Sequence, residues 1–386
     1  MDQRTTQILF PLLRSAICGE KLTEEERNTF SPKLLPELFA MAEKHDLAHL
    51  LAYSLKQNGL IPEENKEIET SVFKAVFRYE RLNYEYERLC AALEKAKIPF
   101  LPLKGSFLRK YYPEPWMRTS CDIDVLVHRE DLESAIAYLS ENLQYVEKER
   151  ATHDVSLYSP QNIHVELHFD LVEEGRAKNA IGVLSSVWEN VSLREGSTSW
   201  YEMSDAFFYF YHIAHMAKHF ETGGCGIRPF LDLWILDGIE VADKGARDAL
   251  LEQGGLLQFA EEARRLSEVW FGACEHDALT EQLQAFLLHG GVYGSADNRV
   301  ALNQAKKGGR FGYILSRIFI PRERLQRYYP VLKKHPWLMP VMQVRRWFML
   351  LRPDVAAMAK SEMRSNANLE KSKADAMNDL LNRIGL

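Results

Sequence analysis

The chain has 386 residues, of which 46% are apolar, 26% charged and 11% aromatic. At roughly 150 residues per domain there is room for about two or three domains with sizeable cores, and this balance excludes a disordered, collagenous or disulfide-scaffolded chain. The formal net charge of −6 argues against wholesale wrapping of nucleic acid.

No apolar run approaches the ~18 residues of a spanning helix, so stable membrane insertion is not expected. The first apolar stretch is short, is broken by Pro11 and has no small-residue cleavage site, which is unlike a secretory signal. Cys18, Cys90, Cys121, Cys225 and Cys274 are scattered, odd in number and form no C-x-x-C pair. They read as reduced thiols of a cytoplasmic protein, not as disulfides or a zinc site.

Residues 1–95 read as an N-terminal helical region. Leu34, Leu35, Leu38, Met41 and Ala42 recur at helical spacing, as do Val72, Phe73, Val76, Tyr79 and Leu82, with Gly59 and Pro62 between the two groups. From Ile98 the texture changes, and residues 96–200 read as an α+β core. Ile98–Leu103 is a short apolar run, Asp122–Val127 a β-rich alternation, and Asp131–Leu139 a helix with an acidic start. Two further strands, Val155–Tyr158 and Ile163–Leu171, flank the turn formers Ser159-Pro160-Gln161-Asn162 and predict a hairpin. Residues 201–352 are helical again, with Ser204 as N-cap and Gly223, Gly224 and Gly226 ending the first helix. Residues 353–386 are polar and read as a final helix or tail.

Three features of the centre carry chemistry. Lys104-Gly105-Ser106 follows an apolar strand and opens a helical segment. A glycine there lets backbone N–H groups approach a phosphate, with a hydroxyl from Ser106 and a mobile charge from Lys104. The competing reading is an ordinary turn with a surface lysine. Asp122 and Asp124 lie two apart in a strand, so both carboxylates face one way while Ile123, Val125 and Val127 face a core. They would repel unless a cation sits between them, and Mg²⁺ favours one or two carboxylates plus substrate phosphates. Ile163–Leu171 alternates throughout, placing His164, Glu166, His168 and Asp170 on one face. This is either a site or a polar edge strand.

Together these features describe a phosphate cradle beside a carboxylate-held metal pair, the shape of in-line nucleotidyl transfer. Leu103-Lys104-Gly105-Ser106, Tyr111-Tyr112, Arg118, Asp122–Val127 and Val165-Glu166-Leu167-His168 resemble the uncharacterised nucleotidyltransferase family of the polymerase-β-like nucleotidyltransferase superfamily. The resemblance continues through His212, His215, Lys218, His219, Arg228, Asp232 and Tyr328-Tyr329-Pro330, over roughly residues 70–350. It implies a small mixed β-sheet with flanking helices, extended here by N-terminal and C-terminal helical regions, the 201–352 region completing a cleft. It also implies Mg²⁺, or Mn²⁺ in its place, held by Asp122, Asp124 and Glu166 as catalytic carboxylates, with NTP as substrate. Lys104, Gly105, Ser106, Arg118 and Lys218 would then bind nucleotide or phosphate. Two departures stand out: 15 residues separate Ser106 from Asp122, longer than usual, and Cys121 stands where the family more often has Ser.

His212, His215 and His219 share one helical stripe, read as cleft lining with His168, as ordinary packing, or as a structural metal site. Arg228 and Asp232, at i and i+4, predict a helix salt bridge. Residues 306–352 hold 12 Lys or Arg and one acid, Glu323, a local +11 that leaves −17 for the remainder. Pairing with acids elsewhere is the favoured reading, ahead of anionic lipid or nucleic acid. The function expected is Mg²⁺-dependent transfer of NMP from NTP to an unidentified acceptor hydroxyl, on a small molecule, a lipid-linked group or a protein. Two other classes compete: a non-catalytic, antitoxin-like binding module, and a metal-dependent hydrolase using the His164/Glu166/His168/Asp170 face.

Overall fold

In the computed structural model of the chain, residues 3–62, 66–172, 178–240, 242–292, 294–307, 309–349, 356, 360, 363–364, 366 and 371–386 are described. The chain divides into two units, Met1–Lys218 with Gly226–Gln284, and His219–Cys225 with Ala285–Leu386.

In the first unit the N-terminal apolar periodicity becomes helices α1 (Gln3–Cys18), α2 (Glu24–Thr29), α3 (Leu35–Lys44), α4 (Ala48–Gln57) and α5 (Lys66–Ala96). A capping box starts α2: the Glu26 N–H donates to the Thr23 hydroxyl while the Glu26 carboxylate accepts from the Thr23 N–H. The buried stripe of α5 is not the expected one. Phe73 is exposed and stacks on exposed Phe77, while Ile68, Ala75, Leu82 and Leu89 take the inner side.

The sheet contains β1 (Phe100–Pro102), β2 (Asp122–Val127), β3 (Val146–Arg150), β4 (Asp154–Tyr158) and β5 (His164–His168), in the order β1-β2-β5-β4-β3. Only β2 and β5 run parallel; the other pairs are antiparallel. The predicted hairpin is β4–β5, closed by Asn162 in the left-handed region at φ 59°. Strand β3 escaped prediction because Val146-Glu147-Lys148-Glu149-Arg150 is exposed along its whole length and shows no alternation.

The short helix α6 (Lys104–Leu108) follows β1, and α7 (Leu132–Leu143) follows β2. Ile123, Val125, Val127, Val155, Leu157, Val165 and Leu167 pack as one sheet face against Leu82, Leu89 and Leu93 of α5 and Leu132, Ala135 and Leu139 of α7. Each such side chain contributes about 1.5–3 kcal/mol on burial. A slip of one residue in β2 would drive both aspartates into that core, so the packing holds the register.

Helix α8 (Ile181–Ser185) precedes a two-stranded ribbon of β6 (Val191–Leu193) and β7 (Tyr201–Met203), which meets β1 through a Phe100–Trp200 bridge. Then come α9 (Asp205–Phe220), α10 (Arg228–Asp237), α11 (Lys244–Gln253), α12 (Leu257–Phe271) and α13 (Ala278–His289). Ser204 caps α9 as expected, its hydroxyl accepting from the Phe207 N–H. Helix α12 returns to the N-terminus, where Trp270 stacks on Phe10 at 4.6 Å.

The second unit holds α14 (Ala296–Lys306), α15 (Arg310–Ile318), α16 (Arg322–Tyr328), α17 (Val331–Lys334) and α18 (Met339–Met349). A helix over Lys371–Arg383 packs on α14. A small core joins Ile320, Leu325 and Leu332 to Tyr329, Leu338, Met339 and Met342. Arg346 donates to the carbonyls of Arg317 and Ile318, and Arg345 lies over the Tyr329 ring. Arg346 thus meets backbone carbonyls and Arg345 an aromatic ring. Among the described residues no helix is long and apolar enough to cross a membrane. The cysteines are all free. The whole is α+β, a small mixed sheet with flanking helices.

Candidate active site

Opposite the core face, the period of two leaves Asp122 and Asp124 side by side on β2. The parallel register sets Asp122 beside His164 and Asp124 beside Glu166 on β5. Ligand atoms of Asp122, His164 and Glu166 lie within 4.8 Å of one another, as do those of Asp124, Glu166 and His168. Asp124 is buried, whereas Asp122 and Glu166 are half-buried. Glu166, 42 positions beyond Asp124, therefore joins the two aspartates on one patch of sheet.

Lys104 joins them. Its backbone sits in the left-handed region, at φ 44°, where the chain leaves β1. Its Nζ is 2.6 Å from Asp124 Oδ1 and 3.9 Å from Glu166 Oε2. His168 Nε2 lies 2.9 Å from the same Asp124 oxygen and 3.4 Å from Glu166 Oε2. The electrostatics follow. Burial disfavours the Asp124 carboxylate, but Lys104 and His168 overcome this and hold its carboxyl well below the usual range. For Asp122, burial and the neighbouring Asp124 charge outweigh the pull of Lys104 and His164 and raise its pKa. Burial opposes the His168 charge, yet its bonds to Asp124 and Glu166 raise its pKa overall.

The strand ends at His168, so the expected four-residue face is broken. The N–H groups of Phe169 and Asp170 both donate to the His153 carbonyl, which turns the chain away from β4. Asp170 pairs instead with Arg129 at 3.1 Å. His164, Glu166 and His168 remain together, and Asp170 does not belong with them.

Gly105 and Ser106 open α6. Two short turns, Arg109–Tyr111 and Pro115–Met117, fold the 15-residue gap back on itself. A Cβ on Gly105 would lie 3.4 Å from Ser120 Cβ and 3.8 Å from Arg118 Nη1. The longer gap therefore does not carry Gly105 away from the residues leading into Asp122. Ser120 donates to the Asp122 carbonyl at 3.1 Å and accepts from Arg109. Cys121 beside it is exposed.

Arg118 is buried. Its Nε and Nη2 meet the two Asp232 oxygens at 2.6 and 2.8 Å, and its Nη1 donates to the Thr119 carbonyl. The Tyr112 hydroxyl donates to Asp232 at 2.7 Å. The i,i+4 pair expected within α10 is replaced: Asp232 takes Arg118, while Arg228 reaches Asp46 at 2.9 Å. Asp46 also accepts from the Thr119 hydroxyl, so one buried and one half-buried ion pair hold the segment just before Asp122.

The histidine stripe of α9 divides. His212 turns to the Pro229 carbonyl at 2.9 Å, and burial lowers its pKa. Tyr211, which the sequence reading passed over, lies where the charges of Lys104, Asp124 and Glu166 act on its phenol, though burial is the main cause of its raised pKa. His215 is in ring contact with Tyr211 at 6.3 Å. Lys218, half-buried, follows Tyr211 by seven positions, on the same side of the helix. The signal available was spacing, since Tyr211 stands four residues before His215. His219 belongs to the second unit.

Residues 32–272, more than half of the chain, match the model of the uncharacterised nucleotidyltransferase family. The chain belongs to that family. The family match begins before residue 70 and ends well before Tyr328-Tyr329-Pro330, which therefore lies outside it. No curated protein and no solved structure matches the chain. Within the family region fall every carboxylate, histidine and lysine of the cluster around Asp124, together with Arg118, Asp232 and α9 up to Phe220. Each of the groups Asp122/His164/Glu166 and Asp124/Glu166/His168 offers two hard carboxylates and an imidazole, a donor set that fits a divalent cation such as Mg²⁺ or Mn²⁺.

Proposed function

We propose that the chain transfers NMP from an NTP to an acceptor hydroxyl and releases pyrophosphate. The observation that carries this reading is the parallel register pairing Asp124 with Glu166, which gathers three carboxylates beside Lys104-Gly105-Ser106. Mg²⁺, with Mn²⁺ as substitute, would be held by Asp122, Asp124 and Glu166 and would supply charge stabilisation at the reacting phosphoryl group.

The chain's own groups have distinct tasks. The new bond joins the acceptor oxygen to the α-phosphorus, and the α–β phosphoanhydride bond breaks. Glu166, more open than Asp124, is the carboxylate to which the acceptor hydroxyl gives its proton. Asp124 keeps its charge at all working pH values because Lys104 and His168 hold it so. Lys104, on a flexible four-carbon stem beside Gly105, carries the positive charge that a β- or γ-phosphate oxygen would take. Ser106 adds a hydroxyl donor, and Lys218 a second cation on the Tyr211 side of α9. Arg118 acts through position: with Asp232 it steadies the turn that carries Ser120 into Asp122.

The test is NTP-dependent pyrophosphate release by the purified chain across pools of small-molecule, lipid-linked and protein acceptors. Release that disappears in both Asp124→Asn and Glu166→Gln is the expected result. NTP binding without any release would sink the transfer reading and favour a binding module on the same fold.

A further inference from the structure

We propose that the face built by α15 and α18 docks peripherally on an anionic phospholipid surface. A helix in a globular protein normally turns its apolar stripe inward. Here two helices also leave large apolar side chains in solvent. On α15, Phe311, Leu315 and Ile318 stand at i, i+4 and i+7 and are 74%, 40% and 38% exposed. On α18, Val341, Val344 and Phe348 stand at i, i+3 and i+7 and are 57%, 44% and 66% exposed. Inward, α15 buries Tyr313, and α18 buries Gln343 and packs Met339 and Met342 against the small core.

The C-terminal end of α15 is tied to α18. The Trp347 indole N–H donates to the Ile318 carbonyl at 2.9 Å, the Gln343 amide donates to the Ile320 carbonyl, and the Phe319 and Trp347 rings meet edge to face at 5.6 Å. Trp337, 69% exposed, extends the apolar surface in the segment between α17 and α18. Seven large apolar side chains left exposed on two joined helices and the turn before the second mark a candidate interaction site.

Charge selects the occupant. The segment 306–352 carries 12 Lys or Arg against Glu323 alone, and Lys333, Lys334, Arg324 and Arg345 are exposed. Exposed Phe, Trp, Leu and Val in a segment rich in exposed cations are the composition of an interfacial helix, whose binding adds buried apolar area to attraction by acidic headgroups. Nucleic acid would use the cations and could stack on the aromatic rings, but Leu315, Ile318, Val341 and Val344 offer no π face to a base. A second copy would bring the same +11 segment against itself, a like-charge contact. Helices of 9 and 11 residues are too short to span, so the contact lies in the headgroup plane.

This inference stands apart from the nucleotidyl-transfer reading and uses none of its residues. The experiment is co-sedimentation of the full chain with vesicles of phosphatidylcholine alone and with about 30% phosphatidylserine, at ~150 mM salt. Tryptophan emission is followed in parallel. Binding to the serine-containing vesicles, with a blue shift and weakening as salt rises, is the expected result. Phe311→Ser/Phe348→Ser and, separately, Lys333→Glu/Lys334→Glu should each weaken it by about tenfold or more. All four side chains are exposed, so far-UV circular dichroism should match the wild type and certify the fold. Absence of binding to the anionic vesicles, binding unchanged in both variants, or tighter capture of single-stranded RNA than of vesicles would each overturn the proposal. So would a concentration-dependent dimer that buries Trp337 and abolishes vesicle binding.

Discussion

Lys104 Nζ lies 2.6 Å from Asp124 Oδ1, the same oxygen that meets His168 Nε2 at 2.9 Å. Asp124 is thus the best-neutralised acid of its cluster, while Asp122, one pleat away, is the repelled one. The two aspartates should separate in stability measurements. Asp124→Asn removes the charge facing Lys104 and His168 and should cost on the order of 3 kcal/mol in urea denaturation. Asp122→Asn relieves crowding and should be neutral within about 1 kcal/mol or stabilising. Equal effects would contradict this division.

Arg118 makes a buried two-pronged pair with Asp232. Lysine keeps the charge but not the fork, so Arg118→Lys should lower stability by about 2–4 kcal/mol. Asp232→Asn should do the same, and the double variant should lose much less than the sum. A double-mutant cycle with urea denaturation checks it. An Arg118→Lys protein of wild-type stability with weakened NTP binding would instead make Arg118 a direct phosphate ligand.

Gly105 distinguishes space from function. Its added Cβ would meet Ser120 at 3.4 Å, an ordinary contact, so Gly105→Ala should fold with nearly unchanged stability. Valine's branches would press on Ser120 and Arg118 and should cost about 1–3 kcal/mol. Any loss of NTP affinity in the folded alanine variant, read by calorimetry, then reports on the nucleotide site alone.

His45 and His49 are buried, and desolvation, opposed for His49 by its bond to the Met117 carbonyl, lowers each to about 4. His45 Nδ1 accepts from the Ile227 N–H, which suits the neutral ring. The unfolded chain takes up protons at these rings near pH 6.5, and the folded chain does not until near pH 4. Their contribution is therefore complete above pH 6.5 and is lost as the pH falls towards 4. Each group removes about 1.4 kcal/mol per pH unit across that window. Urea midpoints between pH 7.5 and 5 should fall accordingly, and His49→Gln should flatten the slope.

What the sequence determined alone is what short-range geometry controls. Alternation over Asp122–Val127 and Ile163–His168 decided which side chains share a face, because a strand repeats every two residues whatever lies beside it. It thereby put Asp122 with Asp124 on one face and Glu166 with His164 and His168 on another, while the family resemblance joined Glu166 to the aspartates. Tertiary structure decided what depends on partners distant in sequence. The β2–β5 register that sets Asp124 beside Glu166, the Lys104 side chain entering between them, and the choice of Arg118 over Arg228 by Asp232 all join residues far apart in the chain. The same limit applies to α5, α15 and α18. Helical spacing showed which apolar residues line up, but whether a stripe is covered depends on what packs against it, and on α15 and α18 Phe311, Leu315, Ile318, Val341, Val344 and Phe348 stay exposed.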